Sequence, residues 1–135
     1  MNILIVEDNL AHQKITEYVL KRHNLPAKFF VVRDGQEVVD YLFRKNGYTD
    51  IEKYPMPNLI LLDLNLPKRD GREVLKLLKE NISLRDIPVV IVSTSDREED
   101  IAFATQMGVV GYISKSIGFD KFSDELGSVI KYARF

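Results

Sequence analysis

The apolar run Leu59-Ile60-Leu61-Leu62 ends on a carboxylate, Asp63, and sets the pattern for the whole chain. Two other runs are apolar without alternation in the same way, Ile3-Leu4-Ile5-Val6 and Val89-Val90-Ile91-Val92. A strand is continuously apolar when both of its faces are covered, as in a parallel sheet with helices on each side. These three runs are therefore predicted to be the central strands of such a sheet.

Five strand candidates alternate with stretches of helical spacing, which is the pattern of an α/β protein. The strands are predicted at residues 2–6, 29–33, 59–62, 89–93 and 110–114. Each is followed by apolar residues at helical intervals of three and four: Ala11, Ile15, Tyr18 and Val19; Val38, Val39, Leu42 and Phe43; Val74, Leu75, Leu77 and Leu78; Ile101, Ala104 and Met107; Phe119, Phe122, Leu126, Val129, Ile130 and Ala133. The pattern predicts a doubly wound sheet of five parallel strands with five helices, whose ligand site lies at the carboxyl ends of the strands.

Length and composition fit one ordinary domain over residues 1–135, with no linker and no output domain expected. The chain is 45% apolar and 29% charged, the balance of a globular protein. A net charge of −1 provides no overall positive field, so nucleic acid is not an expected partner. The absence of cysteine excludes thiolate metal sites and cysteine nucleophiles. No signal peptide is recognised, and no apolar stretch approaches the roughly 20 residues that cross a bilayer, so a cytoplasmic location is expected.

Polar side chains fall where four of the predicted strands end. The pair Glu7-Asp8 follows the first strand, Asp63 follows the third, Ser93-Thr94 ends the fourth, and Lys115 follows the fifth. Because the carboxyl ends of parallel strands share one edge of the sheet, all of these side chains are expected in a single pocket.

The acids of this pocket predict a metal site. Crowded carboxylates repel one another, and a bound cation is one remedy. A set of oxygen ligands suits a hard cation, so Mg²⁺ is the predicted occupant, with Mn²⁺ or Ca²⁺ as substitutes. Asp8 and Asp63 are predicted as direct ligands, Glu7 as a ligand through water, and the backbone carbonyl of Asn65 as a further ligand.

The same pocket is equipped for phosphoryl transfer. A carboxylate beside a dication and a lysine can attack phosphorus, because both positive charges neutralise the phosphoryl oxygens. Asp63 is the predicted nucleophile and Lys115 the predicted partner of the transferred group. The hydroxyl of Ser93 or Thr94 is predicted to donate a hydrogen bond to that group.

These residues, in this order and at these element ends, resemble the receiver domains of two-component response regulators over essentially the entire chain. The match places the phosphoacceptor in residues 61–67, the hydroxyl at Ser93, the lysine at Lys115 and the aromatic switch position at Tyr112. The resemblance implies the strand order 2-1-3-4-5, which flavodoxin shares. It also implies a sensor histidine kinase as phosphodonor and a two-state switch in which Ser93 moves toward the phosphate while Tyr112 turns inward.

Within the family, residues 63–68, 70–75 and 111–116 are most similar to small single-domain regulators paired with bacterial phytochrome kinases. This implies a phytochrome-type kinase partner and a homodimer through the C-terminal face. Phe103, Phe119, Tyr132 and Phe135 are interpreted as core and helix packing, and an exposed subset of them would support the dimer. The family usually has proline after the lysine, whereas Ser116 follows Lys115 here. Since a cis bond without proline costs about 2.5–4 kcal/mol, the Lys115–Ser116 bond is expected to be trans, or cis and strained.

Three other functions stay open on the sequence. A phosphohydrolase of the haloacid dehalogenase type also uses an aspartate nucleophile, although Asn65 replaces its usual second aspartate. A flavodoxin-like cofactor binder shares the strand order, although Glu7-Asp8 would repel phosphate. A relay would pass the phosphoryl group to a histidine phosphotransfer protein. We expect a switch without enzymatic turnover, and we interpret His12 and His23 as surface residues that lack carboxylate partners at metal-ligand spacing.

Overall fold

The computed structural model describes residues 1–24 and 26–133. The strands are β1 Asn2–Val6, β2 Lys28–Val32, β3 Leu59–Leu62, β4 Val89–Ser93 and β5 Gly111–Ser114. The helices are α1 Leu10–Arg22, α2 Gly35–Leu42, α3 Gly71–Glu80, α4 Glu98–Gln106 and α5 Phe119–Val129, followed by a short 3₁₀ helix at Ile130–Tyr132. All strands are parallel and lie in the order β2-β1-β3-β4-β5, which confirms the predicted doubly wound sheet.

Two apolar layers hold the sheet, one on each face. Alternate residues of the central strands contribute to opposite layers: Leu62 packs with α2 and α3, whereas Leu61 packs with α1 and α5. Every residue of β3 and β4 is buried. The continuous apolar runs therefore follow from burial on both faces, as predicted. Among the described helices, none is long and apolar enough to cross a membrane.

The register of β1 against β3 sets the position of the acids. Val6 lies opposite Leu62, so the residues that follow them, Glu7 and Asp63, leave the sheet side by side. The ladder continues one step beyond the strands, since Asp63 N donates to Val6 O at 3.2 Å and Glu7 N donates to Val32 O at 3.0 Å. Two acidic residues are thereby fixed at one edge by backbone hydrogen bonds.

Helix α1 departs from the prediction. Of the predicted stripe, Ile15 is 43% and Tyr18 is 59% exposed, and Ala11 is exposed as well. The buried residues are Gln13, Thr16, Val19 and Leu20. The stripe was placed wrongly because this helix buries two polar side chains, which a search for apolar periodicity cannot find.

The predicted bounds of both edge strands are shifted. β2 begins at Lys28 and ends at Val32, instead of running from Phe29 to Arg33, and β5 begins at Gly111 instead of Val110. Each of these strands has one neighbour in the sheet, so fewer hydrogen bonds and fewer buried side chains mark its ends.

Helix α3 begins at Gly71, which lies against the backbone that follows the phosphoacceptor candidate. A methyl group at this position would meet the carbonyl oxygen of Asp63 at 2.3 Å and the Cα of Leu64 at 2.6 Å. Since both atoms belong to the backbone, a change of side-chain rotamer cannot relieve the clash. Gly71 N also donates to Leu64 O at 2.9 Å, which fixes the approach of the two segments.

Gly71→Ala is therefore expected to destabilise the protein by about 1–3 kcal/mol, the usual cost of an overpacked site. Urea unfolding followed by circular dichroism measures this change. Lys76→Ala, at an exposed position of the same helix, is the control and is expected to change stability by no more than about 0.5 kcal/mol. Equal midpoints for Gly71→Ala and the wild type would contradict the close approach.

Candidate functional site

Three carboxylates meet at the carboxyl ends of β1 and β3. Glu7, Asp8 and Asp63 each offer an oxygen, and these oxygens lie within 4.8 Å of one another. Glu7 and Asp63 are buried, with 4% and 5% exposure, whereas Asp8 is open to solvent. The structure thus brings together the acids that the sequence predicted.

Lys115 joins this cluster from the end of β5. Its ammonium donates to Asp63 Oδ2 at 2.9 Å and forms an ion pair with Glu7 Oε1, and its side chain is 7% exposed. The backbone holds it in place, because Lys115 N donates to Ser93 O at 2.9 Å and so extends the pairing of β4 with β5. The ammonium of Lys115 therefore contacts the two buried carboxylates of the three-acid cluster.

Backbone amides engage the other oxygens of the buried acids. Asn65 N donates to Asp63 Oδ1 at 3.0 Å, and Asn9 N donates to Glu7 Oε2 at 3.2 Å. Asn65 is thereby placed beside the phosphoacceptor candidate, as predicted, while the role of its carbonyl as a metal ligand stays a prediction.

The electrostatics of the cluster favour a further cation. Burial raises the pKa of Glu7, the hydrogen bond and charge of Lys115 lower it, and the charge of Asp63 raises it again. The net effect is a raised pKa of Glu7, so Lys115 alone does not compensate the burial of this carboxylate. A divalent cation would offset the remaining charge, and the donor set, which consists of carboxylate oxygens, suits a hard ion.

The two hydroxyl candidates differ in their surroundings. Ser93 is fully buried, and its Oγ accepts a hydrogen bond from Ser95 N at 3.2 Å. Thr94 is exposed and lines an open cavity of about 530 Å³ together with Asn65 and Arg72. Ser93, the last residue of β4, is thus the buried hydroxyl of the two. It is also the residue that the family resemblance implies.

Tyr112 lies partly buried on β5. Its hydroxyl donates to Ser95 O at 2.7 Å, and burial raises its pKa. Ser93 and Tyr112 therefore both contact Ser95, a residue that the sequence did not single out. The bond between Lys115 and Ser116 is trans, since residues 1–24 and 26–133 contain no cis peptide bond.

His12 lies beside the acidic cluster, where the sequence did not predict it. Its Nδ1 lies 3.3 Å from Lys115 Nζ and 3.9 Å from Glu7 Oε1. His12 is half-buried instead of fully exposed, because the first turn of α1 lies directly beside the acidic strand end. Its position on the first helical turn after an acidic pair was the available signal. His23 is exposed, as expected, and its Nε2 lies 3.0 Å from Ser123 O.

Comparison with known proteins identifies relatives over most of the chain. The family model described as the response regulator receiver domain matches residues 3–126. Response regulator Rcp1 of Synechocystis sp. is 43% identical over 114 residues, which cover 84% of this chain and 76% of Rcp1. The probable methanogenesis regulatory protein FilR2 of Methanothrix harundinacea is 35% identical over 130 residues, which cover 96% of this chain and 81% of FilR2.

Solved structures agree with the sequence relatives. The Mn²⁺-bound form of response regulator Rcp1 has a TM-score of 0.85 at 38% identity, over 95% of this chain and 90% of that one. The phosphorylated cyanobacterial phytochrome response regulator RcpA has a TM-score of 0.87 at 38% identity, over 98% of this chain and 92% of that one. With a matching family model, these relatives and the cluster around Asp63, the chain belongs to the response regulator receiver domain family of two-component systems.

Proposed function

We propose that this chain works as a phosphorylation-controlled switch, in which Asp63 accepts a phosphoryl group from the phosphohistidine of a sensor histidine kinase. The observation that carries the proposal is the position of Asp63: a buried carboxylate bound at 2.9 Å to a buried lysine and flanked by two further acids. Membership of the receiver family supports the same conclusion, because phosphorylation of an aspartate by a kinase is the standard function of that family.

In the proposed reaction, a carboxylate oxygen of Asp63 forms a bond to phosphorus while the bond from phosphorus to the donor nitrogen breaks. The electron pair of that bond returns to the imidazole of the donor. Lys115 exchanges its contact with Asp63 for one with the phosphoryl oxygens, whose negative charge it neutralises. Water later hydrolyses the acyl phosphate to free Asp63 and inorganic phosphate, which returns the chain to its unphosphorylated state. The proposal includes no catalytic activity on any other substrate.

Receiver domains bind a divalent metal ion, and the acidic cluster of this chain fits one. We assign the site to Mg²⁺, with Asp8 and Asp63 as direct ligands, Glu7 as a ligand through water and the carbonyl of Asn65 as a further ligand; Mn²⁺ or Ca²⁺ would substitute. When bound, the ion neutralises oxygens of the transferred group. The oxygen donors and the raised pKa of Glu7 support this assignment.

The proposed kinase is of the phytochrome type. The support is the similarity to RcpA, a phytochrome response regulator, and to Rcp1. The proposed location is the cytoplasm, and the signal would pass on through protein contacts or to a histidine phosphotransfer protein.

A homodimer through the C-terminal face is a further part of the proposal. Phe119 is 44% and Tyr132 is 46% exposed on this face, and such aromatic side chains favour an interface. Phe103 packs against the core instead, and Phe135 lies outside the described residues.

Incubation with acetyl phosphate and Mg²⁺ tests the proposed function. A phosphate-affinity gel is expected to show one slower band, and intact mass is expected to rise by one phosphoryl group per chain. A chelator is expected to abolish both changes, and added Mn²⁺ is expected to restore them, because the acids need a cation before a phosphoryl group can approach.

Two results would oppose this function. Labelling that persists in the presence of the chelator would show that the reaction does not require a metal ion. Sustained release of phosphate from many equivalents of an aryl phosphate ester would favour the hydrolase instead of the switch.

A further inference from the structure

Asp100 is a buried carboxylate outside the phosphorylation site. It lies in the first turn of α4 with 3% exposure. Arg72 of α3 donates two hydrogen bonds to it, from Nε to Oδ1 at 2.6 Å and from Nη2 to Oδ2 at 2.7 Å. These hydrogen bonds hold the pKa of Asp100 well below its usual range. A buried ion pair needs such geometry to offset the cost of desolvation.

The ion pair joins the loop of the phosphoacceptor to the loop after β4. On one side, Arg72 Nη1 donates to Leu64 O, next to Asp63, at 3.4 Å. On the other side, Ser95 Oγ donates to Asp100 Oδ2 at 2.5 Å. The largely exposed Arg97 adds a longer contact to the same oxygen at 3.3 Å. Arg72, Ser95 and Asp100 together are called the Asp100 clamp below.

The clamp holds both proposed switch residues through Ser95. Ser95 N donates to Ser93 Oγ at 3.2 Å, and Ser95 O accepts from the hydroxyl of Tyr112 at 2.7 Å. A movement of the Ser93 hydroxyl toward a phosphoryl group on Asp63 stretches the hydrogen bond from Ser95 N. An inward turn of Tyr112 breaks the hydrogen bond to Ser95 O. Each of these movements therefore either breaks a hydrogen bond to Ser95 or moves Ser95 as well.

We infer that Arg72 and Asp100 are positioning residues, which hold Ser95, and through it Ser93 and Tyr112, in the unphosphorylated arrangement. The inference rests on the proposed function. A contact that is stronger in one of two states stabilises that state, so the clamp opposes the change that phosphorylation drives. Weakening the clamp shifts the population toward the arrangement that binds the phosphoryl group.

Asp100→Asn is the first test, because it keeps the shape of the side chain and removes the charge that Arg72 binds. Beryllofluoride with Mg²⁺ is the probe, as a stable stand-in for the phosphoryl group, and isothermal titration calorimetry measures its affinity. The variant is expected to bind on the order of tenfold more tightly than the wild type, a typical size for coupling between two sites. Glu98→Gln, at an exposed position of the same helical turn, is the control and is expected to match the wild type.

Ser95→Ala is the second test. It removes the hydroxyl bond to Asp100 and leaves the Arg72–Asp100 pair intact, so it is expected to tighten binding in the same direction by a smaller factor. If Asp100→Asn fails to fold, the affinity of Ser95→Ala for beryllofluoride tests the positioning role by itself.

The outcomes separate the inference from the function on which it rests. Folded variants that bind beryllofluoride with wild-type or weaker affinity would overturn the positioning role and leave the switch function intact. A wild-type protein that binds no beryllofluoride and accepts no label from acetyl phosphate would refute the proposed function itself.

Discussion

Asparagine in place of Asp63 is expected to abolish labelling by acetyl phosphate. The amide oxygen is a far weaker nucleophile than a carboxylate, and the neutral side chain also removes one of the three charges that would bind the cation. The substitution keeps the size of a side chain that is 5% exposed, so the fold is expected to survive. The carboxylate accepts from Asn65 N on Oδ1 and from Lys115 on Oδ2, and the single amide oxygen of asparagine can keep one of these two hydrogen bonds.

The phosphate-affinity gel measures this result, and intact mass confirms it. Asp124→Asn is the matched control, because Asp124 is an exposed acid on α5, and it is expected to be labelled at the wild-type rate. A folded Asp63→Asn protein that still gained one phosphoryl group would show that a different acid, such as Asp8 or Glu7, accepts it.

Lys115→Met is expected to slow labelling by about 10²–10³-fold, the usual cost of losing one group that stabilises charge in a transition state. The methionine keeps most of the apolar stem and removes the ammonium that binds Asp63 at 2.9 Å. The affinity for Mg²⁺ is expected to hold or to rise, because a competing cation leaves a cluster of three carboxylates. The defect therefore belongs to the phosphoryl transfer step and not to metal binding.

Rates from a quenched time course and Mg²⁺ titration by calorimetry separate these two effects. Lys121→Met, at an exposed position of α5, controls for the change of residue type. An unchanged labelling rate in Lys115→Met would mean that the ammonium does not contact the transferred group. A parallel loss of Mg²⁺ affinity would instead indicate a collapsed site.

The sequence by itself was sufficient to predict the parallel sheet and the cluster of acids at the carboxyl ends of its strands. β3 and β4 are buried along their entire length, and burial on both faces leaves a continuous apolar run that is recognisable without any structure. Once the strands were placed, parallel topology alone brought Asp63 and Lys115 to one edge, and they do lie 2.9 Å apart. A chain separation of many residues thus became a contact that the sequence could predict.

Only the tertiary structure decided which polar residues of the helices and loops act at a distance from that edge. His12 beside Lys115, and Asp100 beneath Arg72 and Ser95, have the sequence context of ordinary exposed side chains. Whether a polar residue on a helix faces water or a partner depends on how that helix is rotated and packed on the sheet, and α1 shows that apolar spacing can misplace this rotation. The physical reason is that a run of apolar residues is a local property of the sequence. A side-chain hydrogen bond between two helices, in contrast, exists only after both helices have packed.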